Sequence, residues 1–343
     1  MRKVICFLLS VFLSISLSAE EKVFHYYCTV ADEAHFPLLM NLIGSIHKED
    51  FNGTDQIAIF DIGLSDPQLE YLINIEKVKV YPIEKRHPHI CTYFKTHPGG
   101  RIVRGWYLWK PVAFKQSAEL FPYFLYVDAG STVLATPDNL FRHIKENGYF
   151  IINIAPHNIE ERITMTAVEN IVLKLTHEEQ LKIMDPKTPM IDAGFQGLSR
   201  DVWDNYIKPM YDLTTNISLF ADDGTASMGF GSARHDQTLF SIFACLNNFN
   251  TNNQGWSSLN VGGRKIPFHM HWDADCVNNK TCVYRSRWNY QFGGDRSIFI
   301  RHKGYHRPLS AFASSSTYTY AIPIGLVPQD VLEIMKMEEL SDN

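Results

Sequence analysis

Apolar and polar positions in the first half of the chain follow the pattern of strands that alternate with helices. Residues 23–29, 56–61 and 78–82 form short apolar runs rich in β-formers. Residues 37–46 and 66–75 carry apolar side chains at helical spacing, and Ser65 precedes the second of these segments as its cap. The order predicts a βαβαβ unit, and such units require a parallel sheet that is covered by helices.

The middle of the chain extends this pattern, and the second half is less regular. A helix is predicted at 109–120, and it leads into residues 124–128, a run apolar on both faces as in a central strand. A helix at 137–147 follows, with Gly148 just past its end. The pattern then predicts an extended segment at 190–198, helices at 201–211 and 235–248, and a strand at 297–301. We therefore expect one α/β domain over residues 20–330, with a mostly parallel twisted sheet flanked by helices, and a C-terminal tail over 331–343.

The N-terminus has the composition of an export signal. Arg2 and Lys3 precede an apolar run over residues 4–17, and small residues follow it. Because the run is shorter than the roughly 20 apolar residues of a usual spanning helix, a signal peptide over residues 1–19 is predicted, with a short signal anchor as the alternative. Either interpretation puts the rest of the chain in the lumen of the secretory pathway or outside the cell, or has it exported if the source is bacterial.

The composition of the chain limits the classes of molecule that the protein can bind. The net charge of -5 and the lack of a basic patch exclude the electrostatic footprint of a nucleic-acid-binding protein. Membrane contact is expected only if the N-terminal segment stays as an anchor. Cys276 and Cys282 flank a short polar loop and suit a disulfide in an oxidising compartment. Sequons at Asn52, Asn216 and Asn279 fit a glycoprotein if the lumen is eukaryotic.

Polar residues follow two of the predicted strands at the positions where ligands bind in open parallel sheets. Thr29, Ala31 and Asp32 end the first strand, and Asp128 ends the fourth, so both segments should face one crevice. A carboxylate at the end of a buried strand can hold a divalent cation such as Mg²⁺ or Mn²⁺ against a diphosphate. The alternative is that Asp128 only caps a turn.

Several segments, in this order, resemble glycosyltransferases of the GT-A fold (the nucleotide-diphospho-sugar transferase fold), particularly glycosyltransferase family 8. The resemblance covers most of the mature chain. It rests on Cys28-Thr29-Val30-Ala31-Asp32, Trp109-Lys110-Pro111, Asp128-Ala129-Gly130, Asp192-Ala193-Gly194-Phe195-Gln196-Gly197, His235-Asp236-Gln237 and His302-Lys303-Gly304-Tyr305-His306-Arg307-Pro308.

The resemblance implies an enzyme that moves a hexose from a nucleotide-diphosphate sugar, in particular a uridine one, to a carbohydrate, protein or lipid acceptor, with Mn²⁺ or Mg²⁺. Residues implied at the reacting sugar or acceptor are Asp192, Gln196 and Asp236. Those implied in donor binding are Thr29, Ala31, Asp32, Lys110, Asp128, Ala129, Gly130 and Arg307. The implied metal ligands are Asp128 and His302, with His306 as the alternative because the terminal element is one residue shorter than usual.

Three features of the sequence leave alternatives open. Gly130 stands where the family has a second Asp, so the metal site is either incomplete or replaced by Arg and Lys charges, and a secreted binding protein without catalysis is the other functional hypothesis. A literal Asp-x-Asp occurs at Asp273-Ala274-Asp275 after two His residues, and it is either a surface acidic turn or a second metal site. The loop with Arg101 and Arg104 either contacts donor phosphate or carries ordinary surface charge.

Overall fold

A computed structural model describes residues 22–133, 136–251, 256–261, 264–269, 283–285 and 296–303 of the protein. The predicted signal segment, the tail and the Cys276–Cys282 pair lie outside these ranges, so these predictions and the domain limits stay predictions. Within the described ranges, none of the helices combines the length and apolar character needed to cross a membrane.

The first half of the chain builds the predicted βαβαβ unit. α2 begins after Ser65, whose backbone N–H donates to the side chain of Gln68 at 3.1 Å, as a helix N-terminus requires. The elements of the unit are β1 (His25–Ala31), α1 (Phe36–Glu49), β2 (Thr54–Asp61), α2 (Asp66–Leu72) and β3 (Val78–Pro82).

A short hairpin that the sequence did not predict, β4 (Tyr93–Lys95) with β5 (Ile102–Arg104), lies in the long loop after β3. α3 (Trp109–Leu120) has the predicted bounds, and the fully buried β6 (Tyr123–Val127) follows it. After β7 (Ser131–Val133), α4 (Asp138–Asn147) ends at Gly148, whose φ of 86° is in the left-handed region where glycine has no side-chain penalty.

The central sheet has the strand order β3-β2-β1-β6-β9-β8, where β8 is Tyr149–Asn158 and β9 is Pro189–Ser199. The first four of these strands are parallel, while β9 runs antiparallel to both β6 and β8. The prediction of a mostly parallel α/β sheet is therefore confirmed. The chain adds β2 and β3 on one side of β1 and then returns to the other side with β6. Its topological switch point, where ligands bind in such sheets, lies between β1 and β6.

The second half matches the prediction only in part. The extended segment is β9, and the helix at 235–248 is α9 (His235–Leu246). Residues 200–212 form successive 3₁₀, π and α turns, the last of them α8 (Lys208–Asp212), rather than one helix. The short helices α5 (Ile159–Arg162), α6 (Met165–Asn170) and α7 (His177–Ile183) connect β8 to β9.

The predicted strand at 297–301 is wrong. A 3₁₀ turn occupies Ser297–Phe299, and the one β-bridge of this segment among the described residues joins His302 to Ile75. The five residues contain a run of three apolar side chains, and so short an apolar run fits a single helical turn as well as a strand.

The core lies on both faces of the sheet. Along β6 the side chains alternate, so that Phe124 and Tyr126 enter one apolar cluster and Leu125 and Val127 enter the other. Helices α3 and α9 cover the first face, and α1 and α4 cover the second. This three-layer arrangement fixes the ends of β1 and β6 at one edge, which we call the carboxyl edge.

A second sheet joins the molecule beside that edge. It has the order β10-β11-β12-β7, with β10 at Trp256–Val261, β11 at Arg264–His269 and β12 at Val283–Arg285. β7 pairs antiparallel with β12, and β7 follows Asp128 after a turn. The late segment of the chain is thereby attached next to the end of β6.

Candidate active site

A buried lysine is surrounded by carboxylates at the carboxyl edge. Lys110 lies in the first turn of α3, and its Nζ is 3.1 Å from Oδ1 of Asp128 and 3.3 Å from Oδ2 of Asp236. Asp128 follows β6, and Asp236 lies in the first turn of α9. The side chains of Lys110 and Asp236 are 4% and 6% exposed, whereas that of Asp128 is 32% exposed. Asp128 is therefore the member of this group that meets solvent.

Asp192 joins this group from the first residues of β9. Its Oδ1 accepts the N–H of Gly194 at 2.7 Å, and its charge acts on Lys110. α9 is docked on the same stretch, because the Gln237 side chain donates to the carbonyl of Ile191 at 2.7 Å. The structure thus brings the predicted residues Asp192 and Asp236 together with Lys110 and Asp128. We call these four residues the Lys110 cluster.

The electrostatics of the Lys110 cluster are dominated by its acids. Burial by itself would lower the pKa of Lys110, but the charges of Asp128, Asp236 and Asp192 outweigh it and raise that pKa. Burial raises the pKa of Asp236 to about 6, and the charge of Asp128 adds to this while Lys110 opposes it. When all three acids are ionised they carry three negative charges against one positive charge. The cluster therefore favours a cation.

Tyr126 fixes the orientation of Asp128, and the sequence did not identify it. The Tyr126 hydroxyl, which is fully buried, donates to Oδ1 of Asp128 at 2.9 Å, so this oxygen faces both the hydroxyl and the Lys110 ammonium. The two residues are two positions apart, which puts their side chains on the same side of an extended chain. That spacing was the available signal, but Tyr126 read as an apolar member of the strand.

Gln196 lies beneath the cluster. It stands opposite Tyr126 in the ladder between β9 and β6, has no exposed surface, and its Oε1 accepts the Tyr206 hydroxyl at 2.8 Å. Its Nε2 has no hydrogen-bond partner among the described residues. Gln196 is two residues further into the sheet than Gly194, so it packs below the Lys110 cluster. A contact between Gln196 and a sugar stays a prediction.

The end of β1 meets the same edge, as predicted. Thr29 is buried, and its Oγ1 has no hydrogen-bond partner in the described part of the chain. The carbonyl of Ala31 accepts the N–H of Ile62 at 3.1 Å. Asp32 accepts the backbone N–H and Nδ1–H of His35 on Oδ1, at 3.0 and 2.7 Å, and it accepts Arg104 on Oδ2 at 2.9 Å. Both oxygens are engaged, which favours a role in shaping this loop.

Arg104 is a brace inside the loop rather than a surface charge. Besides Asp32, its guanidinium donates to the carbonyl of Cys91 at 2.9 Å and to the Tyr93 hydroxyl at 2.6 Å, and its side chain is only 11% exposed. Burial opposes the charge of Asp32, but His35 and Arg104 outweigh it and hold the pKa of Asp32 well below its usual range. The sequence left two alternatives for Arg104, phosphate contact and ordinary surface charge; its burial and its ion pair with Asp32 contradict the second, and the phosphate contact stays a prediction.

The turn after Arg104 has an unusual backbone. Gly105, Trp106 and Tyr107 have φ values of 54°, 45° and 65°, all in the left-handed region. A Cβ on Gly105 would lie 2.3 Å from the carbonyl oxygen of Ile90, so only glycine fits there. This turn leads directly into α3 and so determines where Lys110 enters the site.

The structure separates Asp128 from His302, which were predicted to bind the same metal ion. His302 bridges Ile75, and its Nε2 is 3.4 Å from the Tyr71 hydroxyl. Ile75 precedes β3, at the amino edge where the parallel strands begin, whereas Asp128 follows β6 at the carboxyl edge. β3 and β6 are also three strand spacings apart, about 14 Å. His302 and Asp128 therefore cannot share one ion, and the order of segments along the chain did not reveal this.

Several other predicted residues can be placed only in part. Ala129 and Gly130 form the turn after Asp128, in which the N–H of Ser131 donates to the Asp128 carbonyl at 3.0 Å. The alternative ligand His306, the phosphate contact Arg307 and the Asp273-Ala274-Asp275 sequence lie outside the described residues. The carboxylates around Lys110, those of Asp128, Asp192 and Asp236, can offer oxygen ligands to Mg²⁺ or Mn²⁺.

No protein-family profile matches this sequence, and no curated protein matches it. Several solved structures of glycosyltransferases are similar to part of this chain. They include core-mannan synthase A from Aspergillus fumigatus, with 10% identity over 66% of this chain and 71% of that chain and a TM-score of 0.39. Mouse xyloside xylosyltransferase 1 has 12% identity over 66% and 82%, with a TM-score of 0.36. The galactosyltransferase LgtC has 11% identity over 64% and 70%, with a TM-score of 0.37. At such scores, the function has to be argued from the site itself.

Proposed function

We propose that the protein is a glycosyltransferase that uses a nucleotide-diphosphate sugar, with the Lys110 cluster at its centre. The observation that carries this proposal is the position of the cluster at the carboxyl end of β6, the strand that borders the topological switch point between β1 and β6. Ligands enter open α/β sheets at that point. There a buried ammonium and three carboxylates converge from four separate segments of the chain.

Charge balance supports a metal-assisted reaction. A donor diphosphate is an anion, and it would be repelled by a cluster whose acids outnumber its one lysine. Mn²⁺ or Mg²⁺ on the exposed Asp128, with Asp236 or Asp192 close by, would reverse that repulsion, and their carboxylate oxygens are suitable ligands. When bound, the metal would neutralise charge on the leaving diphosphate. Lys110 and Tyr126 hold the Asp128 carboxylate in place in either case.

The acids differ in the role that their surroundings allow. Asp128 is the exposed ligand, whereas Asp236 is buried and has a pKa near 6, so it can exchange a proton close to neutral pH. Asp192 is fixed by the N–H of Gly194 and faces the same lysine. We assign Asp192 and Asp236 to the side of the reacting sugar and the acceptor. The Thr29 hydroxyl, which has no hydrogen-bond partner among the described residues, lies on the β1 side, where the nucleotide would lie.

The finer assignments follow from the resemblance. The donor is proposed to carry uridine and a hexose, and the acceptor to be a carbohydrate, protein or lipid. The N-terminal segment would deliver the enzyme to the lumen of the secretory pathway, or out of the cell. A sugar-nucleotide donor has to be present wherever the enzyme works, so the compartment and the donor can be tested together.

Donor hydrolysis by the purified mature protein tests the proposal. A panel of nucleotide sugars is incubated with wild type, Asp128→Asn and Asp204→Asn, with and without Mn²⁺, and release of the nucleotide diphosphate is measured. Asp204 is exposed and lies beyond the end of β9, whereas Asp192 lies near its start, so its variant is the matched control. We expect wild type and Asp204→Asn to turn over at least one donor, and Asp128→Asn to lose at least 100-fold of that rate, in the range of a lost charge-stabilising group.

Calorimetry with UDP separates the remaining hypotheses. UDP binding that depends on Mn²⁺ and disappears in Asp128→Asn, together with turnover, supports the enzyme. UDP binding without turnover of any donor would favour the alternative of a secreted binding protein on the same fold. Failure to bind UDP or any other nucleotide diphosphate, with or without Mn²⁺, would overturn both.

A further inference from the structure

A second group of possible metal ligands lies at the amino edge of the sheet, opposite the Lys110 cluster. His25 begins β1, Asp50 follows α1, and Asp138 begins α4. Each offers a ligand atom within 4.8 Å of the others. His25 and Asp50 are buried, whereas the side chain of Asp138 is 63% exposed. The group therefore has a rigid inner part and an outer part that is open to solvent.

The inner part is arranged as the support of a metal-binding histidine usually is. Nδ1 of His25 is 2.7 Å from Oδ2 of Asp50, and the same oxygen accepts the Tyr27 hydroxyl at 2.7 Å. The imidazole also stacks on Phe141, with 4.3 Å between centroids and 7° between the planes. A buried carboxylate that accepts Nδ1–H fixes the tautomer and leaves the lone pair of Nε2 free to bind a metal.

The outer part has the spacing of two ligands on one ion. Nε2 of His25 is 3.2 Å from Oδ1 of Asp138. Nitrogen and oxygen ligands about 2.0 to 2.1 Å from a tetrahedral zinc ion lie about 3.3 Å apart, so a zinc ion fits between them with little movement. Asp138 is the first residue of α4, and the exposure of its side chain lets water complete the coordination.

Two further observations point to a built site. Oδ1 of Asp50 is buried without a hydrogen-bond partner among the described residues, so one oxygen of this carboxylate is left unsatisfied by its surroundings. Gly53 passes so close that a Cβ there would lie 2.4 Å from this oxygen and 2.6 Å from Nδ1 of His25. The backbone thus closes the inner side of the group and leaves the side of Asp138 as the one open to solvent.

We propose that His25 and Asp138 bind a divalent transition-metal ion of the zinc type, with Asp50 orienting His25 and water filling the remaining positions. The site is separate from the Lys110 cluster and does not depend on the proposed transferase activity. The ion would connect the start of β1 to the start of α4, and so stabilise the amino edge. The competing arrangement is an imidazolium that bridges two carboxylates without any metal.

Zinc titration of variants distinguishes the two arrangements. Zn²⁺ is titrated by calorimetry into the mature chain as wild type, Asp138→Asn and Asp66→Asn, each also carrying Asp128→Asn so that the carboxyl edge contributes little. Asp66 is another exposed aspartate that opens a helix, but it lies at the carboxyl edge and serves as the matched control. We expect one Zn²⁺ per chain in the parent and in Asp66→Asn, and at least 10-fold weaker binding in Asp138→Asn.

The Asp138→Asn change is chosen because its side-chain carbonyl can still accept a hydrogen bond from His25. If residue 138 contributes only this hydrogen bond to the fold, the variant should remain folded, so a loss of zinc binding would not be caused by unfolding. As a second measurement, the nitrogen shifts of the His25 ring are followed by NMR, and Zn²⁺ should move Nε2 while Nδ1 keeps its proton. Equal zinc affinity in parent and Asp138→Asn, or an imidazole that stays protonated on both nitrogens at saturating Zn²⁺, would overturn the proposal.

Discussion

Replacing Asp236 by Asn should stabilise the protein at neutral pH while it impairs the site. The carboxyl of Asp236 is buried beside Asp128 and Lys110, and its pKa in the folded protein is about 6, against an ordinary value of 3.8. Unfolding releases it into water, where it ionises more easily. An amide of the same shape has no charge to bury, so the variant avoids this cost.

The size and sign of the effect follow from the pKa. Because the pKa of Asp236 is raised on folding, its contribution to stability is complete below pH 3.8 and is lost as the pH rises through about 6. A rise from 3.8 to about 6, at about 1.4 kcal/mol for each pH unit, amounts to about 3 kcal/mol above pH 7. About half of this cost should remain at pH 5.

Urea denaturation at pH 5.0 and pH 7.5 measures the effect. The free energy of unfolding of Asp236→Asn should exceed that of wild type by up to about 3 kcal/mol at pH 7.5 and by less at pH 5.0. Loss of the ion pair between Lys110 and Asp236 reduces this gain at both pH values. The exposed Asp204→Asn should stay within about 0.5 kcal/mol of wild type at both values. Donor turnover should fall in the Asp236 variant alone.

The decisive quantity is the change, between pH 5.0 and pH 7.5, in the stability difference between Asp236→Asn and wild type. If Asp236→Asn and wild type lose stability in parallel between pH 5.0 and pH 7.5, then Asp236 does not titrate in this range. The conclusion that burial and Asp128 raise the pKa of Asp236 would then fail. A variant that gains stability and keeps full turnover would instead remove Asp236 from the reaction while leaving the electrostatics intact.

Three further outcomes are expected. Arg104→Ala leaves the buried Asp32 with His35 as its remaining ionic partner and should cost about 3 kcal/mol in urea denaturation, the lower end for a broken buried pair, whereas an unchanged midpoint would show that Arg104 does not brace the loop. Gly105→Ala meets a carbonyl oxygen and should lower stability by about 1 to 3 kcal/mol more than Gly99→Ala, which has a similar left-handed backbone but open space; equal losses would contradict the close approach. Burial raises the pKa of Cys28 to about 12, so a thiol reagent at pH 8 should modify the half-buried Cys91 first by mass spectrometry, and early modification of Cys28 would refute its burial.

Local patterns predicted the parts of the fold that are decided locally. The bounds of α3 and the buried run of β6 follow from apolar spacing and from the turn residues around them, and both are found as expected. The position of Asp128 at the end of β6 follows in turn, because a strand that is buried on both faces has to end where its first charged residue meets solvent.

Features that depend on the closing of long loops were not predictable in this way. Whether His302 lies at the carboxyl or the amino edge is determined by which strand the late segment approaches, and a motif contains no such information. Arg104 was ambiguous for the same reason, since Asp32, its partner, is 72 positions away in the chain. Tyr126 was overlooked because a hydroxyl on an apolar strand resembles core until its acceptor is located.

The Lys110 cluster draws its members from positions 110, 128, 192 and 236, which lie on α3, after β6, on β9 and on α9. No contiguous fragment shorter than this span contains the cluster, so a nascent or partly folded chain cannot display it. Each of its contacts also requires closure of a loop of many residues, which is entropically slow to achieve during folding. Turnover should therefore appear late in refolding and disappear early in proteolysis, as an all-or-none reporter of the assembled sheet.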